Sequence, residues 1–158
     1  MLTLRDATAA DAAALAAIYH DTIHRVNVGD YTPAQCAAWA PPESLEPAGW
    51  IRKQASRRTL VVECDGDVLG FGELEPGGHI DCFYVHHAWQ RRGVGRLLLQ
   101  GLERLAREEG CDRLHLEASL TAEAFFVAHG YRVVRRQMVE RRGEQLANAV
   151  MEKSLAGG

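Results

Sequence analysis

The chain has 158 residues, 47% of them hydrophobic and 25% charged, with a formal net charge of −3 at pH 7. This length and composition predict one globular domain over residues 1–158 with a buried core, rather than a disordered chain. The slightly acidic balance does not favour a general nucleic-acid-binding surface, and no apolar run approaches the roughly 20 residues of a membrane span.

The N-terminus and the cysteines bear on where the protein works. Residues 1–15 lack the basic segment and the apolar stretch of a signal peptide. The four cysteines are scattered without the paired spacing of metal ligands, which favours reduced thiols in or near the core: Cys36, Cys64, Cys82 and Cys111. We therefore expect a cytoplasmic protein without a membrane or nucleic-acid partner, and a homodimer stays open.

The first part of the chain predicts one strand followed by three helices. Residues 2–7 alternate apolar and polar side chains as a strand does, and residues 9–25 carry apolar side chains at helical spacing. Thr32 and Pro33 fit the N-cap and first position of a short helix, which Pro41 stops. Residues 47–57 predict the third helix.

The remainder of the chain predicts strands interrupted by two helices. Residues 59–64 and 67–74 flank Asp65-Gly66, a pair typical of a two-residue hairpin turn, and residues 79–86 predict a third strand. An amphipathic helix follows over 93–109, then a strand at 112–118, a helix at 121–129 and two strands at 131–142 and 145–155. The order β-α-α-α-β-β-β-α-β-α-β-β predicts an α/β (α+β) fold with a mixed, largely antiparallel central sheet flanked by helices.

The segment QRRGVG at positions 90–95 joins an apolar strand to the amphipathic helix. Backbone N–H groups at a helix start lack intrahelical partners, and the helix dipole makes that end positive. Glycines let an anion approach these groups and arginines add charge-assisted bonds, which predicts a phosphate site. A tight turn with solvated arginines fits the spacing equally well. The segment lacks the third glycine of a dinucleotide fingerprint and the Gly-Lys-Ser/Thr of a P-loop.

Two segments resemble the motifs of the GNAT superfamily, the CoA-dependent N-acyltransferases. Residues 83–99, FYVHHAWQRRGVGRLLL, contain its Gln/Arg-x-x-Gly-x-Gly/Ala signature after a strand. Residues 118–131, ASLTAEAFFVAHGY, are similar to its Asn-x-x-Ala-x-x-Phe-Tyr-x-x-x-Gly-Phe segment. The predicted element order also matches the family, so the resemblance covers most of the chain.

The resemblance implies a binding site for acetyl-CoA as co-substrate. The strand around Phe83, Tyr84 and Val85 would pair with the pantetheine arm and offer an N–H to the thioester oxygen. The pyrophosphate would lie on the turn formed by Gln90, Arg91, Arg92, Gly93, Val94, Gly95 and Arg96. Ser119 stands where the family has Asn, so a side-chain bond to the pantetheine is weakened or lost. Phe126 stands where many members have the Tyr that protonates the departing thiolate, so another group, water or unaided departure is required.

Deprotonation of the acceptor amine requires a base, since an alkylammonium has a pKa of about 10.4. Strand alternation predicts that His79, Asp81, Phe83 and Val85 share one face, beside the thioester site. His79 is the first candidate base and matches a position where some family members carry a catalytic Glu. Asp81 is an alternative base, and orienting His79, binding the acceptor ammonium or pairing with an arginine are its other possible roles. Glu73, on the neighbouring strand, is the third candidate base, and an exposed His79 at a turn fits the pattern as well. The same alternation would scatter the histidines and acids of this strand over both faces, so we expect no metal site.

The acceptor pocket falls, by the resemblance, in the segment between the first strand and the hairpin. Candidate residues there are Asn27, Asp30, Tyr31 and Trp39, with Asp30 to bind an ammonium and Tyr31 as an alternative proton donor. Turn and helix-cap chemistry explains the same residues. The sequence thus predicts an N-acetyltransferase that moves an acetyl group to a small-molecule or peptide amine by direct attack in a ternary complex. An acyl-CoA-binding sensor and a generic phosphate-binding module are the alternatives.

Overall fold

The computed structural model describes residues 1–156, which form a seven-stranded sheet and five α-helices. The strands are β1 (Thr3–Asp6), β2 (Arg58–Cys64), β3 (Asp67–Glu75), β4 (His79–Val85), β5 (Arg113–Ser119), β6 (Arg132–Arg141) and β7 (Glu144–Ser154). The helices are α1 (Ala12–Arg25), α2 (Pro33–Trp39), α3 (Pro47–Gln54), α4 (Val94–Glu108) and α5 (Glu123–Ala128). The predicted element order and fold class are confirmed.

The sheet has the order β1-β2-β3-β4-β5-β7-β6, and every neighbouring pair is antiparallel except β4 and β5. The β2–β3 turn has positive φ at Asp65 (51°) and Gly66 (86°), as a type I′ hairpin requires. Helix α2 begins with the expected cap, because the Thr32 hydroxyl accepts from the Gln35 N–H at 3.0 Å. Local turn and cap chemistry therefore places these elements.

The core lies on both faces of the sheet. Helix α4 packs one face through Leu98, Leu99 and Leu102, each of them buried. Helices α1 and α3 cover the other face, where Leu15 and Trp50 contact Phe71 and its neighbours. Burying each large apolar side chain contributes about 1.5–3 kcal/mol, so both layers hold the sheet rigid beneath the site. None of the helices within residues 1–156 is long and apolar enough to cross a membrane.

A β-bulge in β4 makes the predicted alternation of that strand wrong. Gly72 of β3 lies opposite Phe83, whereas Leu74 lies opposite Ile80, so β4 carries one extra residue. Ile80 and Phe83 consequently pack on the α4 side, while Cys82 and Tyr84 pack on the α1 side.

The bulge therefore separates residues that alternation placed together. His79 lies on the side opposite Ile80, and Asp81 meets Lys53 and Arg57 at the end of α3. Neither residue shares a face with Phe83 and Val85. Two of the predicted candidate bases, His79 and Asp81, thus lie on the opposite side of the sheet from Phe83 and Val85, whose face is the one expected to meet the pantetheine.

The four cysteines form no disulfide. Two of them, Cys36 and Cys82, are buried, and Cys64 and Cys111 are half-buried, as expected for core and near-core thiols.

Candidate active site

A cleft of about 780 Å³ opens beside the ends of β4 and β5 and the start of α4. The two strands pair only at His79–His115 and Ile80–Leu116, so their later residues are free to part. Ten predicted site residues line the cleft: Asn27, Phe83, Tyr84, Val85, Gln90, Arg91, Gly93, Gly95, Arg96 and Ser119. The cleft therefore brings together both segments that carry the family resemblance.

The start of α4 faces this cleft without a side-chain cap. Gly93, with φ of 88°, precedes the helix in the left-handed region, which glycine adopts without strain. The Leu97 N–H donates to the Gly93 carbonyl at 3.1 Å, so the preceding N–H groups have no partner inside the helix. A Cβ at Gly95 would lie 3.2 Å from the Phe125 ring. The arrangement suits an anion bound by backbone N–H groups, with Arg91 and Arg96 adding charge.

Three predicted turn residues have local contacts of their own. The Gln90 amide donates to the Val85 carbonyl at 2.7 Å and so ties the turn to the end of β4. The Arg92 guanidinium lies 4.0 Å from the centre of the Trp89 ring and does not line the cleft. The Val94 side chain is fully buried, so only its backbone can serve a ligand.

Part of the predicted acceptor segment meets the end of β5. The Asn27 amide donates to the Ser119 hydroxyl at 3.3 Å. The Tyr31 hydroxyl donates to the Ala147 carbonyl at 2.6 Å and accepts from the Leu120 N–H at 2.9 Å. Burial raises the pKa of Tyr31, which keeps the phenol protonated. Asp30 is exposed, and it lines neither the cleft nor a second cavity on the α1 and α2 side of the strands.

Phe126 is a core residue. It is 2% exposed, and its ring packs 5.3 Å from the rings of Phe83, Phe125 and Tyr131. It reaches only a gap of about 60 Å³ between β4 and β5. The position that holds a tyrosine in many relatives of the predicted family is therefore an apolar wall here.

The candidate bases Glu73 and Asp81 belong to a cluster of charged side chains beside the gap between β4 and β5. The buried Glu73 carboxylate lies 3.3 Å from the Lys53 ammonium and 3.4 Å from the Arg57 guanidinium. Asp81 pairs with the same Arg57 and lies 3.7 Å from Lys53. Asp81 lines both the gap and the cavity on the α1 and α2 side of the strands, whereas Glu73 lines neither. Asp81 is consequently the better placed of the two carboxylates.

His79 bridges two carboxylates. Its Nδ1 lies 2.6 Å from Glu75 and its Nε2 lies 2.9 Å from Glu117. The Glu117 hydrogen bond and then the Glu75 hydrogen bond raise the pKa of His79 to about 9, although burial opposes them. Both ring nitrogens therefore carry protons at neutral pH, and the imidazole has no lone pair to accept another. This geometry does not favour His79 as the base.

A cavity of about 190 Å³ lies on the α1 and α2 side of the parting strands. It shares the lining residues Tyr84 and Ser119 with the cleft, so the two spaces lie next to each other at these residues. Its aromatic lining is Tyr19, Tyr31, Trp39 and Tyr84, and its polar lining includes Lys53, Asp81, Glu117, Arg141 and Asn148. Apart from Tyr31, Trp39 and Asp81, these residues were not predicted for the acceptor side, because they come from elements distant in sequence.

The bulge also brings together side chains that could bind a metal, whereas strand alternation predicted that they would lie on both faces of the sheet. Glu73, Asp81 and Cys82 place ligand atoms within 4.8 Å of one another, as do Glu75, His79 and Asp81. The Lys53 and Arg57 cations already occupy the space beside these carboxylates. A divalent ion would have to displace them, so the donor set suits internal ion pairs better.

An uncapped, glycine-flanked helix start beside two parting parallel strands is the arrangement that the resemblance to acyl-CoA-dependent acyltransferases implies. The family model for the acetyltransferase (GNAT) domain matches residues 27–155. The chain belongs to this family, and it is an acyltransferase.

Relatives and solved structures agree with the family. The uncharacterized N-acetyltransferase YafP of Escherichia coli K12 is 30% identical over 95% of this chain and 94% of its own length. A GCN5-related N-acetyltransferase from Rhodopseudomonas palustris is 37% identical, covers 97% of this chain and 95% of its own, and superposes with a TM-score of 0.91. The PaiA N-acetyltransferase of Thermoplasma acidophilum, solved with coenzyme A, is 16% identical over 98% of this chain and 99% of its own, with a TM-score of 0.79. This last likeness concerns the fold.

Proposed function

We propose that the protein transfers the acetyl group of acetyl-CoA to a primary amine by direct attack in a ternary complex. The observation that carries the proposal is the junction at Tyr84 and Ser119 between the cleft and the acceptor-side cavity. A donor in the cleft and an amine in the cavity would meet there. Holding both reactants in one geometry makes the attack effectively unimolecular.

The donor would lie along β4 with its pyrophosphate on the start of α4. Gly93 and Gly95 keep side chains away from the N–H groups, and Arg91 and Arg96 supply positive charge. The β4 backbone that begins at Phe83 would receive the pantetheine as an added strand, since β5 pairs with β4 only at His79 and Ile80; the Val85 carbonyl at the end of this edge already accepts from Gln90. A backbone N–H there would stabilise the oxyanion that forms when the amine attacks.

Asp81 is the residue we propose to remove the proton from the amine, either directly or through a water molecule. It lines both the gap and the acceptor cavity, and Arg57 and Lys53 hold it in place. Glu73 would position these cations from the core. His79 would hold Glu117 against the same cavity rather than act as the base.

The departing thiolate needs little help, because a free thiol has a pKa of about 8.5. Tyr84 is the donor we propose in place of the phenol missing at Phe126. Burial raises the pKa of Tyr84 well above its ordinary value, so the phenol stays protonated and would donate a hydrogen bond to the thiolate, and the residue lines both spaces. Tyr31 remains the alternative, although its proton is engaged by the Ala147 carbonyl.

Two measurements test this function together. Acetyl-CoA should raise the Tm, because a ligand at a hundredfold excess over its Kd adds about 2.7 kcal/mol. A panel of amines should release free CoA thiol, and mass spectrometry should find the N-acetylated amine. A thermal shift without thiol release from any amine would identify a binding domain without turnover. Absence of both signals would refute the assignment.

A further inference from the structure

The carboxylates of the acceptor cavity all have cationic partners. Asp81 pairs with Arg57 and lies 3.7 Å from Lys53, and Glu117 accepts from His79 at 2.9 Å. The hydrogen bond from His79 also lowers the pKa of Glu117, so the pair stays ionised. The cavity thus offers no uncompensated negative charge to an ammonium or a polycation.

Positive charge at the cavity mouth, by contrast, is not neutralised. Arg141 lines the cavity, and its only polar contact within residues 1–156 is the neighbouring Glu140 carbonyl at 2.8 Å. Arg142 follows in the β6–β7 turn, where its guanidinium donates to the Ala38 carbonyl at 2.7 Å. Over the described part of the chain, neither guanidinium has a carboxylate within salt-bridge distance.

Arg141 and Arg142 lie together at the end of β6 beside the cavity, and both side chains are exposed. Burial raises the pKa of Tyr19 in the cavity lining, and the charges of the two arginines partly oppose that rise. The hydrogen bond from Arg142 to the Ala38 carbonyl connects the β6–β7 turn to α2. An anion in the cavity could therefore be bound by Arg141, which lines it.

The rest of the cavity suits a small body with hydrogen-bonding groups. Tyr19 and Tyr84 pack edge to face at 5.0 Å, and Trp39 lies 6.5 Å from Tyr84, which gives an aromatic wall. The Asn148 amide oxygen is buried without a partner in the cavity lining. The volume of about 190 Å³ is below the roughly 300–1,000 Å³ of sites for drug-sized ligands.

We propose that the acceptor is a small amine with its own anionic group, a carboxylate or a phosphoryl group, which Arg141 binds while the amine faces Tyr84 and Ser119. This inference rests on the proposed acetyl transfer. An α-amino acid or an aminophosphonate has this chemistry. Polycationic amines are disfavoured, because they would face Arg141 and Arg142 with like charge and find no unpaired carboxylate.

The test compares amines that differ only in the anion. Alanine, alaninamide, ethylamine and 1-aminoethylphosphonate form one matched set, and methionine, methioninamide and 3-(methylsulfanyl)propylamine form another. Thiol release should give a kcat/KM at least about tenfold higher for an anionic member than for its amide, the range expected for a charge-assisted bond. The amide's ammonium is the more acidic, so intrinsic reactivity alone would favour the amide. The phosphonate arm tells a carboxylate site from a phosphoryl site.

Variants locate the anion. Arg141→Gln should lower kcat/KM about tenfold or more for the anionic amines, and it should lower kcat/KM clearly less for ethylamine, which has no anion to bind. Arg135→Gln is the matched control, because Arg135 lies on the same strand and is exposed, and its one side-chain hydrogen bond within residues 1–156 is to Gln137 at 3.5 Å. Added salt should weaken the preference in the wild type, since the ion pair is near solvent. Equal effects of the two variants would overturn the assignment.

A binding arm decides the matter without turnover. Titration calorimetry on CoA-saturated protein should show tighter binding of N-acetylalanine than of N-acetylalaninamide. Equal or reversed preference in both rate and binding overturns the anionic acceptor. Turnover restricted to cationic amines would overturn it too and leave acetyl transfer standing. Loss of both the acetyl-CoA thermal shift and thiol release would instead remove the proposed function.

Discussion

Replacing His79 by glutamine removes the cation that joins Glu75 of β3 to Glu117 of β5 across the central strand. The histidine donates to both carboxylates, at 2.6 Å and 2.9 Å, and its side chain is 22% exposed. His79→Gln keeps a side chain of similar length but leaves the two carboxylates without their shared cation. The change should therefore affect both stability and the dependence of stability on pH.

The magnitude follows from the pKa of His79. A rise from the ordinary 6.5 to about 9 corresponds to about 3 kcal/mol, at about 1.4 kcal/mol per pKa unit. Both carboxylates are partly exposed, so solvent screening should reduce the gain to about 1–2 kcal/mol. This contribution is fully present below the unfolded pKa and is lost as the pH rises through the folded pKa.

Urea unfolding from about pH 6 to about pH 10 measures the contribution. The difference in unfolding free energy between wild type and His79→Gln should be constant below about pH 6.5 and should shrink to near zero above about pH 9. His20→Gln is the control, since His20 on α1 lies no closer than 3.7 Å to its acidic neighbour Asp21. A difference that stays constant across the whole range would refute the protonated bridge and restore His79 as a candidate base.

Three further substitutions test the site. Gly95→Val should abolish the thermal shift by acetyl-CoA while circular dichroism stays unchanged. Gly29→Ala is the control, because a Cβ there meets nothing within 4 Å, and it should keep the shift. A shift that both variants keep would contradict the pyrophosphate site. Asp81→Asn should lower kcat about 10²–10⁴-fold with the Kd of acetyl-CoA unchanged, and a rate within about twofold of wild type would exclude it as the base. Phe126→Tyr should lower the unfolding free energy by about 1–3 kcal/mol without raising kcat, because its hydroxyl would lie among core side chains beside the small gap between β4 and β5. A faster enzyme would show instead that the hydroxyl reaches the thiolate.

Local chemistry made much of the fold predictable. The Thr32-Pro33 start of α2, the Asp65-Gly66 turn and the left-handed glycine before α4 each satisfy a conformational need within a few residues. Such signals depend only on residues that are neighbours in sequence, so they can be recognised from the sequence alone. The residues that line the cleft from β4 and α4 form one continuous segment, and the resemblance of that segment to the GNAT signature is what indicated them.

The bulge in β4 was not predictable from that strand. Neither Asp81 nor Cys82 is a glycine or proline, and the extra residue becomes visible only in the pairing of β4 with β3. A shift of one residue reverses which face each side chain takes. That shift moved His79 and Asp81 away from the face of Phe83 and placed Asp81 beside Lys53 and Arg57.

The cavity proposed for the acceptor escaped prediction because its residues come together only in the folded structure. Lys53 comes from α3, Glu117 from β5 and Arg141 from the end of β6. No spacing along the chain relates them, and each is an ordinary charged residue in its own segment. Asp30, which the sequence favoured for its acidity, lies outside the cavity.

The central claim is that the cleft binds acetyl-CoA and delivers its acetyl group to an amine at the junction by Tyr84 and Ser119. The most direct measurement is mass spectrometry of a reaction that contains acetyl-CoA labelled with ¹³C in the acetyl group, the amine panel and either wild-type protein or Gly95→Val. Labelled N-acetyl amine and free CoA should appear in equal amounts with the wild type and not with the variant. Free CoA without labelled amine, or equal transfer by both proteins, would contradict the account.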